Sequence, residues 1–142
     1  ETCAACGLIF WAGAMGEATG ESSYGDVLER ALFNALPAGL SADGERFTYD
    51  TPLESRGRFE RKEWFECACC PPNLARLYGS VGRYLVQFSD RRVDLVIPFA
   101  GAIRTDWGGT FRLTTDYPAR GHVEIVYDGP ETEAEFAFRI PD

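Results

Sequence analysis

The spacing of apolar residues changes near Leu85, from helical periodicity before it to period-two alternation after it. The stretch from Thr2 to Ala18 is apolar on every side, which predicts a helix enclosed in a larger helical assembly. A weak capping signal at Ser23 begins a second, amphipathic helix whose pattern stops at Pro37. The first part of the chain is therefore predicted to be helical.

A third helix is predicted to begin directly after Cys70, because Pro72 suits the first turn of a helix. The segment from Gly39 to Phe65 is rich in glycine, proline and charge, which predicts a long loop. After Leu85, alternating apolar and polar segments separated by glycine and proline turns predict about four antiparallel strands, half of a sandwich. The predicted fold class is α+β, with a domain boundary near Leu85.

Composition narrows the classes of partner. The 142 residues carry 22 acidic and 14 basic side chains, a formal charge of −8, so no broad positive surface is expected for nucleic acid or an anionic membrane. The uncharged stretch from Thr2 to Gly16 is shorter than the roughly 20 apolar residues that span a bilayer. No secretory leader is recognisable, and the chain begins at Glu1 without a methionine, so we expect a fragment of a longer protein.

The five cysteines fall into two tight clusters, which favours a thiolate metal site over a disulfide scaffold. Buried inert thiols are one alternative. A dithiol redox site at Cys3 and Cys6 is another, although the strand that precedes such a motif in thioredoxin-like proteins is absent. Pro71 is expected to keep Cys70 out of helical backbone, and the following helix N-terminus favours thiolate over thiol. The clusters are Cys3 with Cys6, and Cys67 with Cys69 and Cys70.

Zinc suits these side chains, because it takes four ligands from thiolate, imidazole and carboxylate groups. His122, the single histidine, lies far along the chain, so sulfur and carboxylate must supply the site. One choice is an all-thiolate structural site with Cys3, Cys6 and two of the later cysteines, which the i, i+3 spacing of the first pair slightly favours. The other is a mixed site in which Glu1 replaces one thiolate. A non-catalytic, zinc-stabilised module therefore stays open as a function.

Several separated motifs occur in the order of a known family. The most specific is Cys69-Cys70-Pro71-Pro72-Asn73 with Arg76, and the others are Glu1-Thr2-Cys3-Ala4-Ala5, Leu28-Glu29-Arg30-Ala31-Leu32-Phe33-Asn34, Phe47-Thr48-Tyr49 with Pro52-Leu53, and Phe138-Arg139-Ile140-Pro141. Together they resemble the β-L-arabinofuranosidases of glycoside hydrolase family 127. The resemblance covers nearly the whole chain.

The resemblance implies an (α/α)6-barrel catalytic domain followed by β-sandwich domains. Residues 1–86 would be the C-terminal part of the barrel and residues 87–142 a partial sandwich domain. It also implies a zinc ion held by Glu1, Cys3, Cys69 and Cys70. In the family, the residue corresponding to Cys69 attacks the anomeric carbon of a terminal β-L-arabinofuranoside with retention of configuration. A zinc-ionised thiol is a strong nucleophile, which makes that role chemically sensible.

The same resemblance assigns Glu29 and Tyr49 to the binding of the carbohydrate substrate. The acid/base carboxylate that a retaining hydrolase needs is expected upstream of Glu1, so the 142 residues alone are expected to be inactive. Cys6 and Cys67 are expected to be structural. The exact sugar and linkage do not follow from the sequence, because members of the wider family act on other linkages.

The remaining polar residues are expected to be surface groups. Glu60, Glu63 and Glu66 alternate with basic residues, which is typical of a solvated loop, and His122 lacks the neighbours of a base or ligand. An incomplete barrel would expose apolar surface on the first helix, so self-association is expected. Zinc-bound thiolates suit a reducing cytoplasm, which is the favoured compartment.

Overall fold

The computed structural model describes residues 1–141, which form two compact units. The helical unit consists of residues 1–81 with Pro141, and the β unit consists of residues 82–140. The change of unit lies close to the change of periodicity in the sequence. The assignment of residues 1–86 and 87–142 to domains of a larger protein stays a prediction. Within residues 1–141, no helix combines the length and the apolar character needed to cross a bilayer.

The first helix, α1 (Thr2–Thr19), covers the segment predicted to be helical. It ends at Gly20, whose φ of 72° is left-handed and whose N–H donates to the Gly16 carbonyl at 2.9 Å. Leu8 and Trp11 are 41% and 52% exposed. Within this chain α1 is therefore covered on one side only, which is less than the enclosure predicted from its apolar circumference. The buried face consists of Thr2, Cys6, Ile9 and Ala12.

The second helical segment contains a turn of π-helix. It runs through α2 (Ser23–Arg30), the π turn (Ala31–Ala35) and α3 (Leu36–Ala38). Leu28 and Leu36 would point about 80° apart on an uninterrupted α-helix, yet both are buried, at 2% and 0% exposure. The wider π turn reduces that angle, because each of its residues rotates the chain by less than an α-helical residue does. The π turn therefore keeps the buried face of the segment continuous.

The chain between the second helical segment and the next helix contains almost no regular structure. Two isolated bridges join Phe47 to Leu40 and to Lys62. The next helix, α4 (Cys70–Ser80), begins one residue earlier than predicted and packs against α1. Its buried face consists of Cys70, Pro71, Leu74 and Leu77.

The β unit contains a short helix, α5 (Gly82–Leu85), and two three-stranded sheets. Its strands are β1 (Val86–Ser89), β2 (Arg92–Leu95), β3 (Gly101–Arg104), β4 (Thr110–Thr115), β5 (Val123–Asp128) and β6 (Glu135–Phe138). In the first sheet β1 is antiparallel to β2, and β6 is parallel to β2. The second sheet is an antiparallel meander of β3, β4 and β5.

The α+β class is confirmed, while the strand count and one pairing differ from the prediction. The prediction of about four strands missed β1, which follows α5 directly, and β3, in which only Ile103 is buried. The all-antiparallel prediction is wrong for β6. Pairing between strands distant in sequence is not encoded in the periodicity of either strand. Side chains from both sheets form the buried core of the β unit, which consists of Val86, Val93, Leu95, Ile103, Phe111 and Leu113.

Candidate metal centre

The N-terminus of α4 presents two adjacent sulfurs. Cys69 is the N-cap residue and Cys70 is the first helical residue. Pro71 and Pro72 follow in the first turn, where a missing N–H costs no helical hydrogen bond. The prediction that Pro71 keeps Cys70 out of helical backbone is wrong. Cys70 is 0% exposed, and its tertiary burial outweighs the local preference of a residue before proline.

The N-terminus of α1 supplies a third sulfur. Glu1 is the N-cap of α1, and Cys3 lies in its first turn. Cys3 Sγ lies 3.2 Å from Cys69 Sγ and 3.4 Å from Cys70 Sγ, and the last two are 3.8 Å apart. All three are free thiols, and these separations are far longer than the ~2.05 Å of a disulfide bond. The packing of α1 against α4 thus joins cysteines from both sequence clusters in one sulfur group.

This sulfur group, Cys3, Cys69 and Cys70, fits a tetrahedral metal ion. The three Sγ atoms lie within 4.8 Å of one another. With Zn–S distances of ~2.3 Å, tetrahedral geometry places sulfurs about 3.8 Å apart. The shortest observed separation, 3.2 Å, therefore needs only a small expansion. Three thiolates are a donor set that suits zinc, and they leave one of four positions for another ligand.

Glu1 lies beside the sulfur group without belonging to the set of mutually close ligand atoms found among residues 1–141. Its carboxylate accepts a hydrogen bond from the Tyr49 hydroxyl, which is the main cause that raises the pKa of Tyr49 to about 12. The negative charge of Glu1 adds to this rise, as does that of Cys69 when its thiol is ionised. Phe65 contacts the Tyr49 ring edge-on, with centroids 6.3 Å apart. The structure therefore brings Glu1, Tyr49 and Cys69 into one neighbourhood.

Thr2 fixes the loop that carries Tyr49. Thr2 is 1% exposed, and its Oγ1 donates to the Thr48 carbonyl at 2.8 Å. The Thr48 N–H donates in turn to the Gly39 carbonyl at 3.0 Å. A Cβ on Gly39 would lie 2.5 Å from Thr2 Oγ1, so glycine permits the close approach. These contacts, which sequence reasoning missed, position Tyr49 beside Glu1.

Protons are unevenly distributed over the sulfur group. Burial alone would raise the pKa of Cys3, but hydrogen bonds with Asn73, Cys69 and Cys70 outweigh it and lower that pKa below its usual value. The hydrogen bond with Cys3, together with burial, raises the pKa of Cys69 to about 12. Burial and the bond with Cys3 raise the pKa of Cys70. Cys3 is therefore the thiol of the group that loses its proton most readily, and zinc binding would release the protons of all coordinated thiols.

The other residues singled out from the sequence lie outside the sulfur group, as judged over the described part of the chain. Glu29 is half-buried in the last turn of α2, directly before the π turn. Cys6 is buried, which raises its pKa to about 11, and Cys67 is exposed. Among the described residues, the set of mutually close ligand atoms does not include Cys6, so the geometry gives no support to the all-thiolate site. The surface residues expected from the sequence are exposed: Glu60, Glu63, Glu66 and His122.

Asn73 is a residue of the centre that sequence reasoning named only as part of a motif. Its Nδ2 donates to Cys3 Sγ at 3.2 Å. The signal was available, because Asn73 stands three and four residues after Cys70 and Cys69, the spacing that places side chains on one helix face.

Known proteins share this arrangement of elements. Residues 1–83 match the family model of the β-L-arabinofuranosidase GH127 catalytic domain. Over 99% of its length the chain is 33% identical to the non-reducing end β-L-arabinofuranosidase of Bifidobacterium longum subsp. longum, and it covers 24% of that protein.

Solved structures of enzymes from the same family also match nearly the whole chain. A GH127 β-arabinofuranosidase matches with a TM-score of 0.92 at 33% identity, over 99% of this chain and 23% of that one. A GH127 β-L-arabinofuranosidase from Geobacillus stearothermophilus T6 matches with a TM-score of 0.89 at 33% identity, over 99% of this chain and 25% of that one. The chain thus spans about a quarter of the length of these relatives. On the family match over residues 1–83, the chain belongs to glycoside hydrolase family 127.

Proposed function

We propose that this chain forms the metal-thiolate part of a retaining glycoside hydrolase that removes terminal β-L-arabinofuranosyl units, with Cys69 as the nucleophile. The observation that carries the proposal is the sulfur group, where two helix N-termini meet. Membership of the family supports the reaction class. The named activity of the Bifidobacterium relative supports the class of substrate.

The proposal includes an arrangement of domains. Residues 1–86 form the C-terminal part of an (α/α)6-barrel catalytic domain, and residues 87–142 form part of a β-sandwich domain. The family's catalytic model ends at residue 83, close to this boundary, which supports the first assignment.

Glu1, Cys3, Cys69 and Cys70 are the proposed ligands of one zinc ion. Zinc supplies the positive charge that ionises coordinated thiols at neutral pH. Three sulfurs leave the fourth position to a different donor, and a carboxylate oxygen suits zinc. The proximity of Glu1 to Cys3 supports this role. Its charge is close enough to oppose ionisation of Cys3, although hydrogen bonds keep the pKa of Cys3 below its usual value.

The position of Cys69 supports its proposed role as the nucleophile. It is half-buried at the N-cap of α4, where the positive end of the helix dipole would add to the charge of a bound zinc ion in ionising a thiol whose pKa is raised without metal. The sulfur attacks the anomeric carbon while the bond to the leaving oxygen breaks, and that oxygen takes a proton from a carboxylic acid. Water then loses a proton to the carboxylate formed in the first step and displaces the thiolate from the thioglycoside, which restores both groups and gives net retention. Glu29 and Tyr49 hydrogen-bond to the hydroxyls of the sugar in this proposal.

The general acid is proposed to come from outside these 142 residues. Among the residues that the structure describes, the carboxylates that precede the second cysteine cluster lie outside the sulfur group. Acid/base assistance contributes about 10²- to 10⁴-fold in rate. The 142 residues alone are therefore expected to hydrolyse arabinofuranosides negligibly.

The test is hydrolysis of an aryl β-L-arabinofuranoside by the intact protein that contains this chain, with mass spectrometry of the trapped glycosyl adduct. The adduct is expected on Cys69. Cys69→Ser should lower kcat/KM on the order of 10⁴-fold or more, as loss of a nucleophile does. Cys67→Ser is the matched control, because it changes an exposed thiol two residues away. An adduct on any other residue would show that Cys69 is not the nucleophile.

A non-catalytic, zinc-stabilised module is the second candidate. The complete burial of Cys70 favours it, because a ligand that solvent does not reach holds the helices together without meeting a substrate, and in structural zinc sites protein ligands fill all four positions. Zinc that stabilises the intact protein, without any adduct or turnover, would decide for this second function.

A further inference from the structure

Asn73 connects the two cysteine clusters. It is half-buried in the first turn of α4. Its backbone N–H donates to the Cys69 carbonyl at 3.2 Å, and its side-chain Nδ2 donates to Cys3 Sγ, also at 3.2 Å. One residue thus holds the backbone at one sulfur and the side chain of another that lies 70 positions away.

We propose that Asn73 is a positioning residue of the metal centre, whose amide N–H fixes the sulfur of Cys3 as a ligand and draws negative charge away from it. This inference rests on the metal site of the proposed function. It assigns Asn73 no contact with the substrate.

The side-chain amide of Asn73 has the chemistry that this role requires. A bond from N–H to a thiolate is charge-assisted and therefore stronger than one between neutral groups. Because the amide is neutral, it does not repel a bound cation as an ammonium group would. Cys3 is where orientation matters most, since its Sγ is the closest neighbour of both other sulfurs, at 3.2 and 3.4 Å. Partners of this kind contribute about 10- to 100-fold to metal affinity.

Two variants distinguish the effect of losing the hydrogen-bond donor of Asn73 from the effect of losing the volume of its side chain. Asn73→Leu keeps a side chain of similar size without a donor, and Asn73→Ala removes both size and donor. The matched control is Asn34→Leu, because Asn34 is the other asparagine of the chain. Asn34 is exposed in the π turn, and its Nδ2 donates to the Arg30 carbonyl at 3.0 Å.

The experiment is a titration of the metal-free intact protein with Co²⁺, followed by the absorption of the sulfur-to-cobalt charge transfer. Both Asn73 variants are expected to bind Co²⁺ about 10- to 100-fold more weakly. The charge-transfer band should move to lower energy, since a thiolate that has lost a hydrogen bond gives up an electron more easily. Asn34→Leu should match the unsubstituted protein in both measurements. Thermal unfolding of the metal-free variants identifies any that fail to fold.

Three results would overturn the inference, and each has a distinct meaning. Wild-type affinity and an unshifted band in both Asn73 variants would show that the hydrogen bond has no role. Loss of affinity in Asn73→Ala alone would show that Asn73 acts through packing. Absence of the thiolate band in the unsubstituted protein would remove the metal site itself, and with it the proposed function.

Discussion

The helical unit and the β unit hold their backbone in different ways. In the β unit, buried side chains from both sheets form one apolar core, and its strands are paired in regular ladders. In the helical unit the helices pack together, but the long segment before α4 is fixed by particular polar contacts such as that from Thr2 to Thr48. The candidate chemistry lies beside these contacts. The difference indicates that the helical unit should respond to metal and to single polar substitutions, while the β unit should respond to loss of apolar volume.

Replacement of a sulfur ligand should show the difference between the two units most clearly, because it should affect the helical unit and leave the β unit unchanged. Cys70 is 0% exposed and its Sγ lies 3.4 Å from that of Cys3. Cys70→Ser is expected to weaken zinc binding by more than the ~10- to 100-fold that an outer partner contributes. Excess zinc should partly restore activity to Cys70→Ser but not to Cys69→Ser, because only Cys69 carries the proposed covalent step.

Zinc competition with a chromogenic chelator measures the affinity, and hydrogen exchange locates the effect along the chain. Faster exchange is expected in residues 39–69 and unchanged exchange in β4, with Cys67→Ser as the control. An equal increase of hydrogen exchange in β4 would show that the two units do not differ in their response to metal.

Loss of apolar volume in the β unit should have the opposite effect: it should destabilise the β unit and leave the metal affinity of the helical unit unchanged. Leu95 is 1% exposed in the core of the β unit. Leu95→Ala is expected to cost about 2–5 kcal/mol of unfolding free energy, the usual range for such a cavity. Val126→Ala, at a position that is 50% exposed, is the control and should cost much less. Denaturant unfolding measures the cost, and a change of Co²⁺ affinity in Leu95→Ala would contradict the independence of the units.

Loss of a buried hydrogen bond should have a smaller effect than loss of a metal ligand or of a leucine side chain in the core. Thr2→Val keeps the shape of the side chain and leaves the Thr48 carbonyl without this donor, at an expected cost of about 1–3 kcal/mol. The loop should loosen and KM should rise, because Tyr49 follows Thr48 directly. Thr19→Val removes an exposed bond of similar length, 2.8 Å to the Met15 carbonyl, and is the control. Hydrogen exchange at residues 48 and 49 that is equal in both variants would contradict the role of Thr2.

The two cysteines outside the sulfur group should differ in reactivity. Burial raises the pKa of Cys6 from 9.0 to about 11, so the folded state holds this proton more tightly than the unfolded state does. Its contribution to stability is fully present below pH ~9 and is lost as the pH rises towards 11. At pH 8, iodoacetamide should modify Cys67 quickly and leave Cys6 intact until the protein unfolds. Mass mapping of the labelled sites tests this, and early labelling of Cys6 would show that α1 opens readily.

Elements with a strong local signal could be predicted from the sequence. The apolar run of α1 and the proline at the start of α4 are signals contained within each helix, so both helices were predicted. The parallel pairing of β2 with β6 depends on the path of the chain between them, and no local pattern contains it. The π turn was missed for a related reason, since its five residues have no distinctive composition.

The same limit applies to the candidate site. Cysteine is a rare residue, so its clustering along the chain is enough to indicate a sulfur group. Thr2 and Asn73 are ordinary polar residues, and only their tertiary neighbours, the Thr48 carbonyl and Cys3 Sγ, distinguish them. Sequence therefore indicated which atoms could bind a metal, while the contacts that orient those atoms required the fold.

The π turn at Ala31–Ala35 also determines how the second helical segment tolerates insertions and deletions. Each α-helical residue advances the chain by about 100° of rotation, so a change of one residue acts as a change of phase. Deletion of one residue from the turn would let it close as α-helix, with Leu28 and Leu36 seven α-helical residues apart and therefore within about 20° of the same face. Substitutions within the turn leave that phase intact. The segment should therefore tolerate the loss of one residue from the turn, whereas insertion of a further residue would rotate Leu36 away from the buried face.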